Sequence, residues 1–264
     1  MAELLVLSLA ALLALLGFLL RREQQCSARL RRRLELMAAE LQQLQQSCAR
    51  LAPAGLVQRL ASEQDDEALA EHKQVTALFA DLVGYTALSE KLDAPQLARV
   101  LNGYFERAAD AIGAHRGHLS TFLGDGVLAY FGALEPNPWQ CNDAVRAALQ
   151  MRAALRAYSE ELQREGLPPV AVGIGIHYGS GLAGLIGSRD RREYSVVGRT
   201  VNLAARVQGL TRPLGVDILV TDEVRAELDP AIVLRAMPAQ AVKGIALPVV
   251  TYAVEDTATA LATD

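Results

Sequence analysis

The chain has 264 residues, 51% hydrophobic and 21% charged, enough for one sizeable core plus extra segments. Its net charge of −4 argues against a general nucleic-acid binder, whose surface is normally basic. Three scattered cysteines (Cys26, Cys48, Cys141) and four histidines (His72, His115, His118, His177) form neither a disulfide framework nor a metal-ligand spacing, which suits a reducing setting.

Leu4 to Leu20 carries no charge, and only Ser8 and Gly17 interrupt it weakly, so it lies near the lower limit for a membrane-spanning helix. A cleaved signal peptide is the competing reading. No Lys or Arg precedes the run, however, and Arg21-Arg22 follows it in place of a small-residue cleavage site. The sequence therefore predicts an uncleaved anchor over residues 1–22. Arg21, Arg22, Arg29, Arg31, Arg32 and Arg33 lie after the span, so the positive-inside rule puts the N-terminus outside and the remainder in the cytoplasm, as in a single-pass inner-membrane protein. The same arginines can lie against anionic head groups.

Leu30, Leu34, Met37, Leu41, Leu44, Cys48 and Leu51 recur at alternating spacings of four and three, a heptad seam kept for three repeats. Residues 23–52 are thus expected to form a coiled-coil helix. The alternative is an amphipathic helix packed on its own domain. Two copies anchored in one membrane emerge in the same direction, which favours a parallel dimer. Pro53 and Gly55 end the helix, and residues 53–73 read as a linker with an acidic stretch from Glu63 to Glu67.

The strand Val75 to Leu82 contains one carboxylate, Asp81, and breaks at Gly84 before a helix. Backbone N–H groups at such a turn suit a phosphate chain, and an Asp beside them suits a divalent cation. Asp81 taken alone is equally a helix cap. Ser89 to His115 follows a helical pattern with Pro95 in its first turn. His118 to Leu123, Gly124-Asp125-Gly126 and Val127 to Phe131 read as strand, tight turn, strand. Asn142 to Glu165 is helical, and Val170 to Tyr178 alternates as a strand. Gly179 to Gly187 reads as a turn into another strand, and Tyr194 to Val197 as a short one. A helix is expected over Thr200 to Leu210, a strand over Val216 to Thr221, a helix over Asp222 to Leu228 and a hairpin-like pair around Ala241 to Ala253.

This order predicts an α+β fold: a ferredoxin-like βαββαβ core with extra C-terminal strands and helix, over residues 74–255, followed by a short tail (256–264). In that core the first and third strands are central neighbours, so Asp81 and Asp125 meet at one edge. Two carboxylates beside a phosphate-sized cradle suit a two-metal site.

Phe79-Ala80-Asp81-Leu82-Val83-Gly84-Tyr85-Thr86, Phe122-Leu123-Gly124-Asp125-Gly126 and Val197-Gly198-Arg199-Thr200-Val201-Asn202-Leu203-Ala204-Ala205-Arg206 occur in an order that resembles the class III nucleotidyl cyclases, the adenylyl and guanylyl cyclases. The resemblance spans roughly Lys73 to Val254. It implies that Asp81 and Asp125 hold two Mg²⁺ or Mn²⁺ ions with the Leu82 carbonyl, and that Val83, Gly84, Tyr85 and Thr86 cradle the β- and γ-phosphates. Asn202 would orient the ribose, Arg206 would donate to the α-phosphoryl group in the transition state, and Lys243 is the nearest match to the family's triphosphate lysine. It further implies a homodimer whose sites take their aspartates from one subunit and Asn202 and Arg206 from the other.

The family's purine-reading positions are occupied by Thr121, where a lysine is usual, and by Ser195, which matches the hydroxyl-using subgroup. A hydroxyl can donate or accept, so the pair admits either purine. ATP is the expected substrate, with GTP as the alternative and a non-catalytic nucleotide-binding dimer as the competing class. The joint presence of Asp81, Asp125, Asn202 and Arg206 opposes decay of the site.

Overall fold

The computed structural model describes residues 70–188, 192–242, 244, 245 and 247–256, together with Met37. The expected anchor, the heptad helix apart from Met37, the linker up to Leu69, Lys243 and residues 257–264 lie outside the described residues. No helix among the described residues is long and apolar enough to cross a membrane.

The elements in order are β1 (Ala70–Leu82), α1 (Tyr85–Lys91), α2 (Ala94–Ala114), β2 (His118–Leu123), β3 (Gly126–Phe131), α3 (Gln140–Arg164), β4 (Val172–Gly187), β5 (Arg192–Val197), α4 (Arg199–Leu214), β6 (Ile218–Thr221), α5 (Asp222–Arg225), β7 (Leu234–Ala236) and β8 (Thr251–Val254). They form one sheet in the order β2-β3-β1-β4-β6-β8-β7, with β5 paired to β4. The first four strands reproduce the expected βαββαβ core, with β1 antiparallel to both β3 and β4.

The two sheet faces serve different helices. On β4, Ile174 and Ile176 point into the main core with Tyr104 and Ile112 of α2 and Met151 and Leu155 of α3. The alternate residues Gly173 and Gly175 meet α4, as the period of two requires. A Cβ on Gly175 would lie 2.1 Å from the Gln208 backbone nitrogen and 2.6 Å from the Ala204 carbonyl oxygen, so α4 rests directly on the strand backbone. Gly175→Ala is therefore expected to destabilise the domain by about 1–3 kcal/mol or more, because the helix backbone must move. Denaturant unfolding would measure it, and unchanged stability would contradict this packing.

Four expectations are corrected. β1 begins at Ala70, ahead of Val75, because it pairs with β4 along its whole length, from Ala70 opposite Gly184 to Leu82 opposite Val172. The glycines after Tyr178 do not turn. They continue β4, since close neighbours use the space: a Cβ on Gly181 would meet Val196 Cγ1 at 2.5 Å, and one on Gly179 would meet Thr200 Oγ1 at 2.9 Å. The single helix expected from Ser89 is two helices. α1 follows Gly84, its N-cap, whose φ of 78° is left-handed, and Asp93 caps α2 with a capping box through Gln96 and with Pro95 in the first turn. Last, β8 pairs with β7 and β6 rather than closing a hairpin over 241–253. Pro238 and Pro248 lack ladder donors and Gly244 has φ +74°, and among the described residues there an isolated Gln240–Val249 bridge forms.

Candidate active site

Asp81 stands opposite Gly126 in the β1–β3 register, one residue beyond Asp125. The turn between β2 and β3 passes through Gly124 at φ 66°, and a Cβ on Gly126 would lie 3.5 Å from Asp81 Oδ1. The strand order thus brings Asp81 and Asp125 together at the end of β1, close enough for the Asp125 carboxyl to act on that of Asp81. Burial, and then the hydrogen bond and charge of Asp125, push the Asp81 carboxyl from 3.8 up to about 6, while the Leu82 backbone and Arg212 act the other way. On α2, the Tyr104 hydroxyl is buried with no hydrogen-bond partner among the described residues and feels both carboxylates.

Two carboxyl groups set so close that one raises the proton affinity of the other are a fitting donor set for a divalent ion, whose charge would offset their repulsion. Among the described residues no group of three or more His, Cys, Asp or Glu gathers. The protein would therefore supply two carboxylates and backbone, leaving other ligand positions to water and phosphate oxygens, as hard cations such as Mg²⁺ favour.

A cleft of about 240 Å³ adjoins the pair, lined by Leu82, Val83, Tyr85 and Thr86 on one side and by Gln208, Gly209, Thr211 and Arg212 of α4 on the other. The first-turn N–H groups of Tyr85 and Thr86 have no acceptor within their helix. Val83 corrects the expected cradle. Its N–H is bonded to the Ala171 carbonyl oxygen at 2.9 Å, so it anchors the loop to the start of β4 and offers no donor to a phosphate.

Asn202 and Arg206 lie one turn apart on α4, Asn202 exposed and Arg206 half-buried beside Gly244. Neither lines the carboxylate cleft, where α4 is represented by Gln208, Gly209, Thr211 and Arg212. Within one chain, then, the cleft beside the aspartates is built without Asn202 and Arg206. Gly244 neighbours Lys243, which is itself outside the described residues.

Thr121 and Ser195 occupy different settings. Thr121 follows an irregularity in the β2–β3 register, and among the described residues its hydroxyl donates to the Phe122 carbonyl oxygen, at 3.4 Å. Ser195, on β5 opposite Gly184, shares the buried Tyr130 phenol with Ser120, and that phenol donates to the Val196 carbonyl oxygen at 3.3 Å. The sequence reading missed Ser120 and Tyr130, which no local pattern links to Ser195.

Residues 68–256 match the model of the adenylate and guanylate cyclase catalytic domain. The chain belongs to this family. A cyclase domain therefore occupies nearly all the described residues. Among curated relatives, an adenylate cyclase of Anabaena cylindrica is 34% identical over 178 residues, 66% of this chain and 33% of that protein. Adenylate cyclase 1 of Rhizobium meliloti is 30% identical over 172 residues, 65% of this chain and 26% of that protein. The chain thus spans about a third or less of the curated relatives it matches. The adenylyl cyclase CyaB from P. aeruginosa superposes with a TM-score of 0.67 at 29% identity, covering 71% of this chain and 96% of that one. The guanylyl cyclase Cya2 gives 0.64 at 33% identity, covering 70% and 93%.

Proposed function

We propose that this cyclase domain converts ATP to 3′,5′-cyclic AMP and pyrophosphate by in-line attack of the ribose 3′-hydroxyl on the α-phosphorus. The observation that carries the reading is the adjacent Asp81–Asp125 pair lining one cleft with the Leu82–Thr86 loop. Asp81 and Asp125, with the Leu82 carbonyl, would hold two Mg²⁺ or Mn²⁺ ions. Bound there, the ions would ease ionisation of the attacking hydroxyl and offset the charge of the leaving phosphates. Tyr85 and Thr86 would bind phosphate oxygens through their backbone N–H groups, after Gly84 has turned the chain. Asn202 would orient the ribose, and Arg206 and Lys243 would offset negative charge that grows on the phosphoryl groups.

That Asn202 and Arg206 do not line the cleft beside the aspartates within one chain supports a homodimer with two shared sites. An anchor at residues 1–22 and a coiled coil at 23–52 would add to that assembly by raising the effective concentration of two catalytic domains at the inner membrane.

Adenine is the proposed base. Both curated relatives named above are adenylate cyclases, although the solved relative Cya2 is a guanylyl cyclase. Thr121 leaves base contacts weak, so discrimination is expected to be modest. Turnover of each nucleotide with Mn²⁺ tests this: equal rates or a preference for GTP would reject the adenine assignment. Thr121→Lys is expected to raise the ATP-to-GTP ratio of kcat/KM by about tenfold, the value of one added hydrogen bond to a base. An unchanged ratio would remove Thr121 from the purine pocket.

A further inference from the structure

Arg212 is a cation for which the motifs assign no role. It sits in the last turn of α4 and lines the same cleft as Asp81, Asp125, Tyr85 and Thr86. Its charge acts on Asp81 through space, yet among the described residues no ion pair or hydrogen bond engages its guanidinium. A solvated arginine that favours the helix C-terminus would explain its position on α4. That reading does not explain why the side chain faces a concave site with the paired acids and the loop opposite.

The local backbone holds Arg212 in this place. Pro213 has no N–H, so the helical bond to the Gly209 carbonyl is not made, and α4 ends at Gly215 with φ 65°. Gly209 lines the cleft and presents no side chain; a Cβ there would meet nothing within 4 Å. Thr211 is pressed onto β4, since a Cβ on Gly173 would lie 2.3 Å from its Oγ1. The turn that carries Arg212 is thereby seated beside the strand end that pairs with Leu82.

Charge points to what the guanidinium meets. A tetra-anionic triphosphate together with two aspartates outweighs a pair of divalent cations, so a filled site still calls for positive charge. We infer that Arg212 binds the β- and γ-phosphates from the same chain that supplies Asp81 and Asp125, and holds the pyrophosphate as it leaves. As the bond from the α-phosphorus to the bridging oxygen breaks, its electron pair passes to pyrophosphate, and a guanidinium stays protonated to receive that charge. Arg212 would act in its own subunit's site, while Arg206, six residues earlier on the same helix, would act in the partner's. This inference rests on the proposed reaction.

The test compares full-length wild type, Arg212→Ala and Arg212→Lys with ATP and Mn²⁺. Arg212→Ala is expected to raise both KM for ATP and the inhibition constant of pyrophosphate by about 10- to 100-fold, with Arg212→Lys recovering part of each. Inhibition by cyclic AMP, which lacks the β- and γ-phosphates, should stay at the wild-type value. Unchanged pyrophosphate inhibition would overturn the inference, as would equal weakening of pyrophosphate and cyclic AMP, which signals a collapsed cleft. If the wild type forms no cyclic nucleotide, the reaction is refuted. Calorimetric titration with manganese pyrophosphate then decides on Arg212: weaker binding by Arg212→Ala supports it, and equal binding overturns it.

Discussion

Asp81→Asn is expected to abolish cyclic nucleotide formation while making the metal-free domain more stable. The loss of activity follows from the removal of one of the two carboxylates that line the cleft among the described residues, which forfeits several kcal/mol of transition-state stabilisation, about a 10³-fold drop or more. The gain in stability follows from the sign of the Asp81 shift. Its carboxyl is raised by burial and then by Asp125, from 3.8 to about 6, so the folded state holds the proton more tightly than the unfolded chain. That contribution is complete below 3.8 and is lost as the pH rises through about 6, where two like charges face each other. Asparagine keeps the shape without the charge, so its advantage should be clear at pH 7.5 and vanish near pH 4. Mn²⁺ should raise the Tm of the wild type at pH 7.5 and barely move that of the variant. Thermal unfolding with and without Mn²⁺ separates these outcomes; an equal Tm rise in both proteins would mean that Asp81 holds no metal.

Mixing two inactive variants should restore activity. If the aspartates act with Asn202 and Arg206 of a second copy, Asp81→Ala and Arg206→Ala each eliminate both sites of their own homodimer. A heterodimer rebuilds one intact site, with Asp81 from one chain and Arg206 from the other. Random assortment of equal amounts should then return roughly a quarter of wild-type activity. Co-expressing the two chains with separate affinity tags and purifying on both would give the heterodimer itself, at about half the wild-type rate. No recovery in a verified heterodimer would put Arg206 outside the shared site. Activity in Arg206→Ala alone at the wild-type rate would remove it from the chemistry altogether.

The central chemistry was legible because it depends on order. One carboxylate at the end of the first strand and another at the turn into the third must meet once those strands are neighbours, and they do. Length was less legible. The helix that reads as ending at Leu210 runs to Leu214, because a proline is tolerated in a last turn whose bonds are already being lost, and Gly215 closes it. That extra turn contains Thr211 and Arg212, so the cation facing the aspartates was invisible to a reading that stopped at Leu210. The glycines of β4 misled in a similar way: they resemble a turn in composition, yet they serve the close approach of Val196 and Thr200. Contacts between distant strands carry no local signal at all. Val83 spends its N–H on Ala171, and Ser195 meets Tyr130, through pairings that only the folded sheet creates.

The most direct measurement follows the products of the full-length chain given ATP and Mn²⁺, with nucleotides separated by chromatography and pyrophosphate assayed in the same samples. The expected result is equimolar 3′,5′-cyclic AMP and pyrophosphate, absent when the metal is chelated and absent in Asp81→Asn. Release of ADP and phosphate, or of linear AMP, or cyclic AMP formation that survives in Asp81→Asn, would contradict the two-carboxylate account.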